Sequence, residues 1–142
     1  MREALPRDAA AIRRLLEAVL DRRLEDHHAA QLARNLLYFL SGQGNALLLL
    51  EEGERVVGAA SVWVRQGVFD DLPVARVDRL LLDPEHRTPE AALALLEQAA
   101  ALARSVGAGD FEVSLEDPLP LPEGTLKDLG MTALGTYRAR IR

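Results

Sequence analysis

The sequence predicts one α/β domain, residues 1–142, with a mixed, twisted sheet flanked by helices. Three observations predict it. Two amphipathic helical stretches precede a run of strands. A strand–helix–strand unit then spans Val74 to Glu116, and such a unit lays two strands parallel in a right-handed crossover. The chain has 142 residues, 49% hydrophobic and 27% charged, which suits one soluble core.

"EALPRDAAAIRRLLEAVLD" opens with a short extended piece, and Asp8 stands where an N-cap belongs. Ile12, Leu15, Leu16, Val19 and Leu20 follow at i, i+3, i+4, i+7 and i+8, the period of an amphipathic helix. A second helix is expected over about Asp26 to Leu40, with Leu32, Leu36, Leu37 and Leu40 inward. "SGQGN" stops it, because glycine reaches the positive φ that ends helices.

"ALLLLEE" and "RVVGAASVWVR" flank Gly53 and read as a hairpin. "QGVFDDLP" is a loop and "VARVDRLLLD" a third long strand. A helix from about Pro89 to Val106 follows, with Ala92, Leu95, Leu96, Ala99, Leu102, Ala103 and Val106 in its inner stripe. "DFEVSLE" alternates Phe111, Val113 and Leu115 with Asp110, Glu112, Ser114 and Glu116, so one face of that strand is buried. "DPLPLPEG" is a Pro-rich loop, "TLKDLG" one or two helical turns, and "MTALGTYRARIR" a closing strand. The predicted order is β-α-α-β-β-β-α-β-(α)-β.

Several functions are excluded early. The net charge is −5, from 22 acidic and 17 basic residues, and nonspecific nucleic-acid binding needs a basic surface. No apolar run is long enough to span a bilayer. The start "MREALPRDAAAIRR" lacks the apolar core of a secretory signal. Cysteine is absent, which removes disulfides and thiolate nucleophiles. A cytoplasmic location is the expectation. His27 and His28 are helix neighbours whose side chains are expected to diverge, so no metal site is expected.

The turn in "LLLDPEHRTPEAALALL" joins strand to helix, a common place to bind phosphate. Its residues also explain themselves without a ligand: Thr88 as N-cap, Pro89 at N1, and Glu90 in the first turn against the helix dipole.

This order, with the words "REALPRDAAAIRRLL", "LLLDPEHR" and "LKDLGMTALGTYRARI", resembles the GNAT superfamily of N-acetyltransferases through nearly the whole chain. The resemblance implies that the fourth and fifth strands splay apart and that the pantetheine arm of acetyl-CoA pairs with fourth-strand backbone at Leu80, Leu81 and Leu82. It implies that the turn after that strand, R/Q-x-x-G-x-G/A, holds the pyrophosphate. In that motif Arg87 takes the Arg/Gln place, Thr88, Pro89 and Ala91 are variable positions, and Ala92 takes the last Gly/Ala. Glu90 stands where the first glycine belongs. A glycine lets backbone approach phosphate, whereas a carboxylate repels it, and Pro89 brings no N–H.

The resemblance further implies direct attack of an amine on the thioester, with an oxyanion donor from backbone at Leu81 or Leu82. The amine needs a base, because an alkylammonium is no nucleophile. Asp78 is the leading candidate, read as alternating with Leu80 and Leu82. Glu112 follows it, then Ser114 and Glu116. The Tyr acid usual in the family falls at Leu126, and its usual Asn at Leu119, among Pro118, Pro120 and Pro122. Tyr38 and Tyr137 are the remaining tyrosines, each read as a core or surface aromatic. His86 reads as a loop residue and Trp63 as core or pocket wall.

"RARIR" places Arg138, Arg140 and Arg142 on one face of an edge strand. The chain stops where many family members add a strand, which motivates a homodimer. The resulting expectation is an N-acyltransferase using acetyl-CoA and an amine of a small molecule or protein. The alternatives are a non-catalytic member acting as a ligand-binding or dimeric module, and a structural subunit that binds no CoA.

Overall fold

The computed structural model describes residues 1–114, 120–122, 124–128 and 130–132. Its chain order is β1 (Arg2–Glu3), α1 (Ala9–Leu20), α2 (Asp26–Leu40), β2 (Ala46–Glu52), β3 (Arg55–Arg65), β4 (Val74–Leu82), α3 (Pro89–Ser105), β5 (Asp110–Val113) and α4 (Thr125–Asp128). The five strands form one sheet in sequence order. The first three pairings are antiparallel, and β4 pairs parallel with β5. The expected closing strand beyond Thr132 lies outside the described residues, as do Leu115, Glu116 and Leu119.

The helices sandwich the sheet. Alternate residues of a strand point to opposite faces, and the cores follow that rule. Leu48, Ala60, Val62, Ala75, Val77 and Leu82 pack with Ala92, Leu95 and Ala99 of α3. Leu49 and Ala59 pack on the other face with Ile12 and Leu15 of α1 and Leu36 of α2. Gly53 turns the β2–β3 hairpin at φ 63°, which glycine adopts at no steric cost.

Two expected inward residues are not inward. Leu20 is 42% exposed and Leu37 is 59% exposed. Leu20 ends α1, and Leu37 lies one residue, or about 100°, around α2 from buried Leu36. Periodicity marks the stripe, but each stripe is narrower than the leucines available.

Asp8 occupies the N-cap position of α1 without capping it. Its carboxylate instead accepts from Arg2 Nη1 and Nη2, both at 2.8 Å, and from the Leu5 N–H at 2.7 Å. Arg2 also reaches Glu51 at 2.8 Å. This ties the first strand to the helix start and to β2.

The feature that shapes β4 is a bulge. Ala60 faces Leu80 and Ser61 faces Arg79, yet Val62 faces Val77. Two residues, Asp78 and Arg79, therefore stand against Ser61 alone. The Arg79 N–H donates to Ser61 Oγ at 3.1 Å. Asp78 thus does not continue the alternation through Leu80 and Leu82. On the α3 side, Val77 is followed by Leu80, three residues on.

Candidate functional site

The bulge decides which backbone groups of β4 face away from β3. The Asp83 N–H donates to Val57 O at 2.8 Å, and the Arg79 N–H points to Ser61. By strand alternation Leu81 also faces β3, and its carbonyl lies 3.3 Å from where a Cβ on Gly58 would stand. Leu80 and Leu82 therefore turn their N–H and C=O groups to the opposite edge. Upstream of the bulge that edge is held by β5: register pairs run from Val74 with Asp110 to Val77 with Val113, and the Ser114 N–H reaches Val77 O at 2.9 Å. Beyond Val77, the edge at Leu80 and Leu82 has no strand partner among the described residues. Of the expected backbone positions, Leu80 and Leu82 face this gap and Leu81 does not.

The turn after β4 is closed upon itself. Asp83 accepts the Glu85 N–H at 3.0 Å on Oδ1 and the His86 N–H at 2.8 Å on its carbonyl. A helix start leaves four N–H groups without intrahelical partners. Here Thr88's goes to His86 O at 2.9 Å, Pro89 has none, and Ala91's goes to Thr88 Oγ1 at 3.2 Å. Glu90's alone has no partner among the described residues. Ala92, the next residue, already donates to Thr88 O at 3.1 Å. The expectation of a self-sufficient cap is met in each residue. Arg87, Thr88, Pro89 and Glu90 are all exposed.

Asp83 organises this turn, a role that reading it as a strand end missed. It is only 3% exposed. Arg55 Nη2 reaches its Oδ2 at 2.8 Å. His86 Nδ1 lies 3.5 Å from Oδ1, too long for a strong hydrogen bond, and His86 Nε2 meets Glu52. Burial pushes the Asp83 carboxyl up. The Glu85 N–H, His86 and the Arg55 guanidinium outweigh it and hold the group below the usual carboxylate range. The signal in the sequence was Asp83-Pro84, since Asp before a turn accepts N–H groups two residues on. The other buried carboxyl, Asp8, is held at about 2 by its hydrogen bonds from Arg2.

Asp78 is half-buried at the bulge and Glu112 is exposed on β5. Glu112 stands in register with Arg76, which faces Trp63 across β3–β4. Phe111 and Val113 pack toward α3, so Glu112, Arg76 and Trp63 share the opposite face. Trp63 meets Phe39 edge-to-face at 4.6 Å and carries Arg65 at 4.9 Å from its ring. Arg76 Nε is buried there with no hydrogen-bond partner among the described residues. Tyr38 is 78% exposed. Leu126, at the position of the family's Tyr, packs against the α3-side core. Tyr137, Arg138, Arg140, Arg142, Pro118 and Glu116 lie outside the described residues.

The expectation that His27 and His28 diverge needs correction. Ligand atoms of Glu25, His27 and His28 lie within 4.8 Å of one another. The two rings approach to 3.9 Å and His27 Nδ1 meets Glu25 at 3.2 Å. Glu25 is the N-cap and has left helical geometry, so the rule for helix faces does not govern it. All three are exposed, where such groupings are common without an ion.

A cavity of about 580 Å³ opens beside this turn on the α1 side, lined by Arg14, Glu52, Arg55 and Asp83 among others. One of about 390 Å³ lies between the Glu3–Pro6 segment and the end of α2. Neither is lined by Asp78 or by the first turn of α3. The candidate site is the bared strand edge between them. No helix among the described residues is long and apolar enough to cross a membrane.

The acetyltransferase (GNAT) family model matches residues 10–117. An acetyltransferase of Trypanosoma brucei is 20% identical with a TM-score of 0.76, covering 99% of this chain and 96% of its own. A ribosomal-protein-alanine N-acetyltransferase from Brucella melitensis biovar Abortus 2308 is 21% identical with a TM-score of 0.71, over 99% and 97%. A glucosamine-6-phosphate N-acetyltransferase from Arabidopsis thaliana is 12% identical with a TM-score of 0.75, over 99% and 95%. At these identities the likeness is one of fold. No curated protein matches the chain.

Proposed function

The chain belongs to the acetyltransferase (GNAT) family, and from that premise we propose that it transfers an acyl group from a pantetheine thioester of the acetyl-CoA type to an amine. One observation carries the reading. The bulge at Asp78 turns the N–H and C=O groups of Leu80 and Leu82 toward an edge with no strand partner among the described residues. An extended arm of alternating amides adds to such an edge as a further strand would.

The residues then take roles. Leu80 and Leu82 pair with the amides of the arm. The Leu82 N–H faces the thioester oxygen, where a fixed donor stabilises developing charge. Asp78 takes the proton from the incoming ammonium, with Glu112 as the second candidate base. The amine nitrogen bonds the carbonyl carbon, the carbon–sulfur bond breaks, and the nitrogen's second proton passes through water to the departing sulfur. Leu126 has no proton to give and packs into the core instead. Similar folds carry names for both a ribosomal-protein alanine and glucosamine-6-phosphate, so both peptide and small-molecule amines are candidate acceptors.

The test is release of free thiol from acetyl-CoA across a panel of small amines and peptide N-termini. Release that depends on an amine supports the reading. A second reading, a non-catalytic member that binds a ligand or a second copy, is favoured by the self-closed turn and by Leu126. Thioester binding without turnover on any amine would carry it instead.

A further inference from the structure

We infer that this chain recognises its acyl donor through the pantetheine thioester end alone and leaves the nucleotide diphosphate end in solvent. The inference rests on the thioester reading above and sets what class of donor the site takes.

A pyrophosphate cradle at a strand–helix turn is built from unspent backbone N–H groups and the positive end of the helix. From Asp83 to Ala92 those groups are largely spent. The N–H groups of Glu85, His86, Thr88, Ala91 and Ala92 all donate within the turn. Pro84 and Pro89 have no N–H to give. Of the helix-start N–H groups Glu90's alone has no partner among the described residues, and it sits on the residue whose own carboxylate opposes an anion; Arg87 is the exposed cation of the same stretch. The exposed carboxylates of Glu85 and Glu90 add to that opposition. Opening the turn to a diphosphate would require breaking the Thr88 cap and the Asp83 turn, whose Asp83 carboxylate is already committed to Arg55. The strand edge differs, because Leu80 and Leu82 present groups that no described residue has claimed. Binding energy therefore lies on the β4 edge, and the donor class is acyl-pantetheine thioesters, with CoA as one member.

The test is calorimetry on the full chain with acetyl-CoA, S-acetylpantetheine and 3′-phosphoadenosine 5′-diphosphate. A charge-assisted hydrogen bond is worth roughly tenfold in affinity or more, so a working cradle of several would favour acetyl-CoA by a large factor. The expected result is that the two thioesters bind within roughly tenfold of each other and that the nucleotide diphosphate gives no heat. Acetyl-CoA binding more than roughly tenfold tighter, or heat from the nucleotide diphosphate alone, overturns the inference while leaving acyl transfer standing. No heat from either thioester overturns both. Glu90→Gly, with folding checked by thermal melting, is a second arm. It should raise affinity for acetyl-CoA more than for S-acetylpantetheine, and an acetyl-CoA preference already present before the change contradicts the inference.

Discussion

Arg79 donates its N–H to Ser61 Oγ at 3.1 Å, and with Asp78 it shares Ser61 as the opposing residue. That arrangement lets β4 lie against β3 and still present Leu80 and Leu82 to the other side. It also sets Asp78 at the point where β4 and β5 part. Asp78→Asn keeps the shape and removes the base. The expected result is a fall in kcat of about 10²-fold or more with an unchanged circular dichroism spectrum. Steady-state kinetics with one accepted amine checks it, and an unchanged kcat would pass the role to Glu112.

Gly58 holds β4 close. A Cβ there would stand 3.0 Å from Leu82 Cδ2 and 3.3 Å from Leu50 Cβ and Leu81 O. Gly58→Ala should lower stability by about 1 kcal/mol or more through overpacking. It should also weaken thioester binding, because the displaced residue, Leu82, carries the edge. Urea melts and calorimetry on the same variant check both effects.

Asp83→Asn removes the charge that faces Arg55 and weakens the acceptor of the Glu85 N–H. For a buried acceptor with such partners the expected cost is about 1–3 kcal/mol. Arg55→Ala should cost less, since the Arg55 side chain is 61% exposed and Asp83 keeps its backbone donors. Chemical denaturation of the two variants side by side gives the comparison.

Acid should unfold the chain through its buried carboxyls. Asp8 has a folded pKa of about 2 against an ordinary value of 3.8. Between those values the unfolded chain binds the extra proton, so stability rises with pH across this window. The contribution is fully present above the ordinary value and is lost as pH falls through the folded one. Asp83 is depressed as well and adds in the same direction. Melting temperature measured from pH 6 downward should drop below about pH 4, and Asp8→Asn should start lower and drop less.

Much of the fold was legible because its signals are local. Thr88, Pro89 and Glu90 specify a helix start by their own chemistry, and α3 begins at Pro89. Gly53 specifies the hairpin by its φ. The site was less legible because it depends on pairing. "VARVDRLLL" reads as unbroken alternation, and only the register against Ser61 shows that Asp78 is an extra residue. That register turns Leu80 and Leu82, of the three expected backbone positions, to the open edge and Leu81 to β3. Leu37 shows the same limit, since helix period marks it apolar and only packing shows that the core ends before it. Asp83 was missed through its neighbours: Arg55 and Glu52 arrive from the preceding hairpin.

The most direct test is thiol release from S-acetylpantetheine and acetyl-CoA in the presence of an amine panel, with wild type and Asp78→Asn side by side. Amine-dependent release from both donors is expected, reduced by about 10²-fold or more in the variant. No release above the no-enzyme rate for either donor with any amine would contradict it.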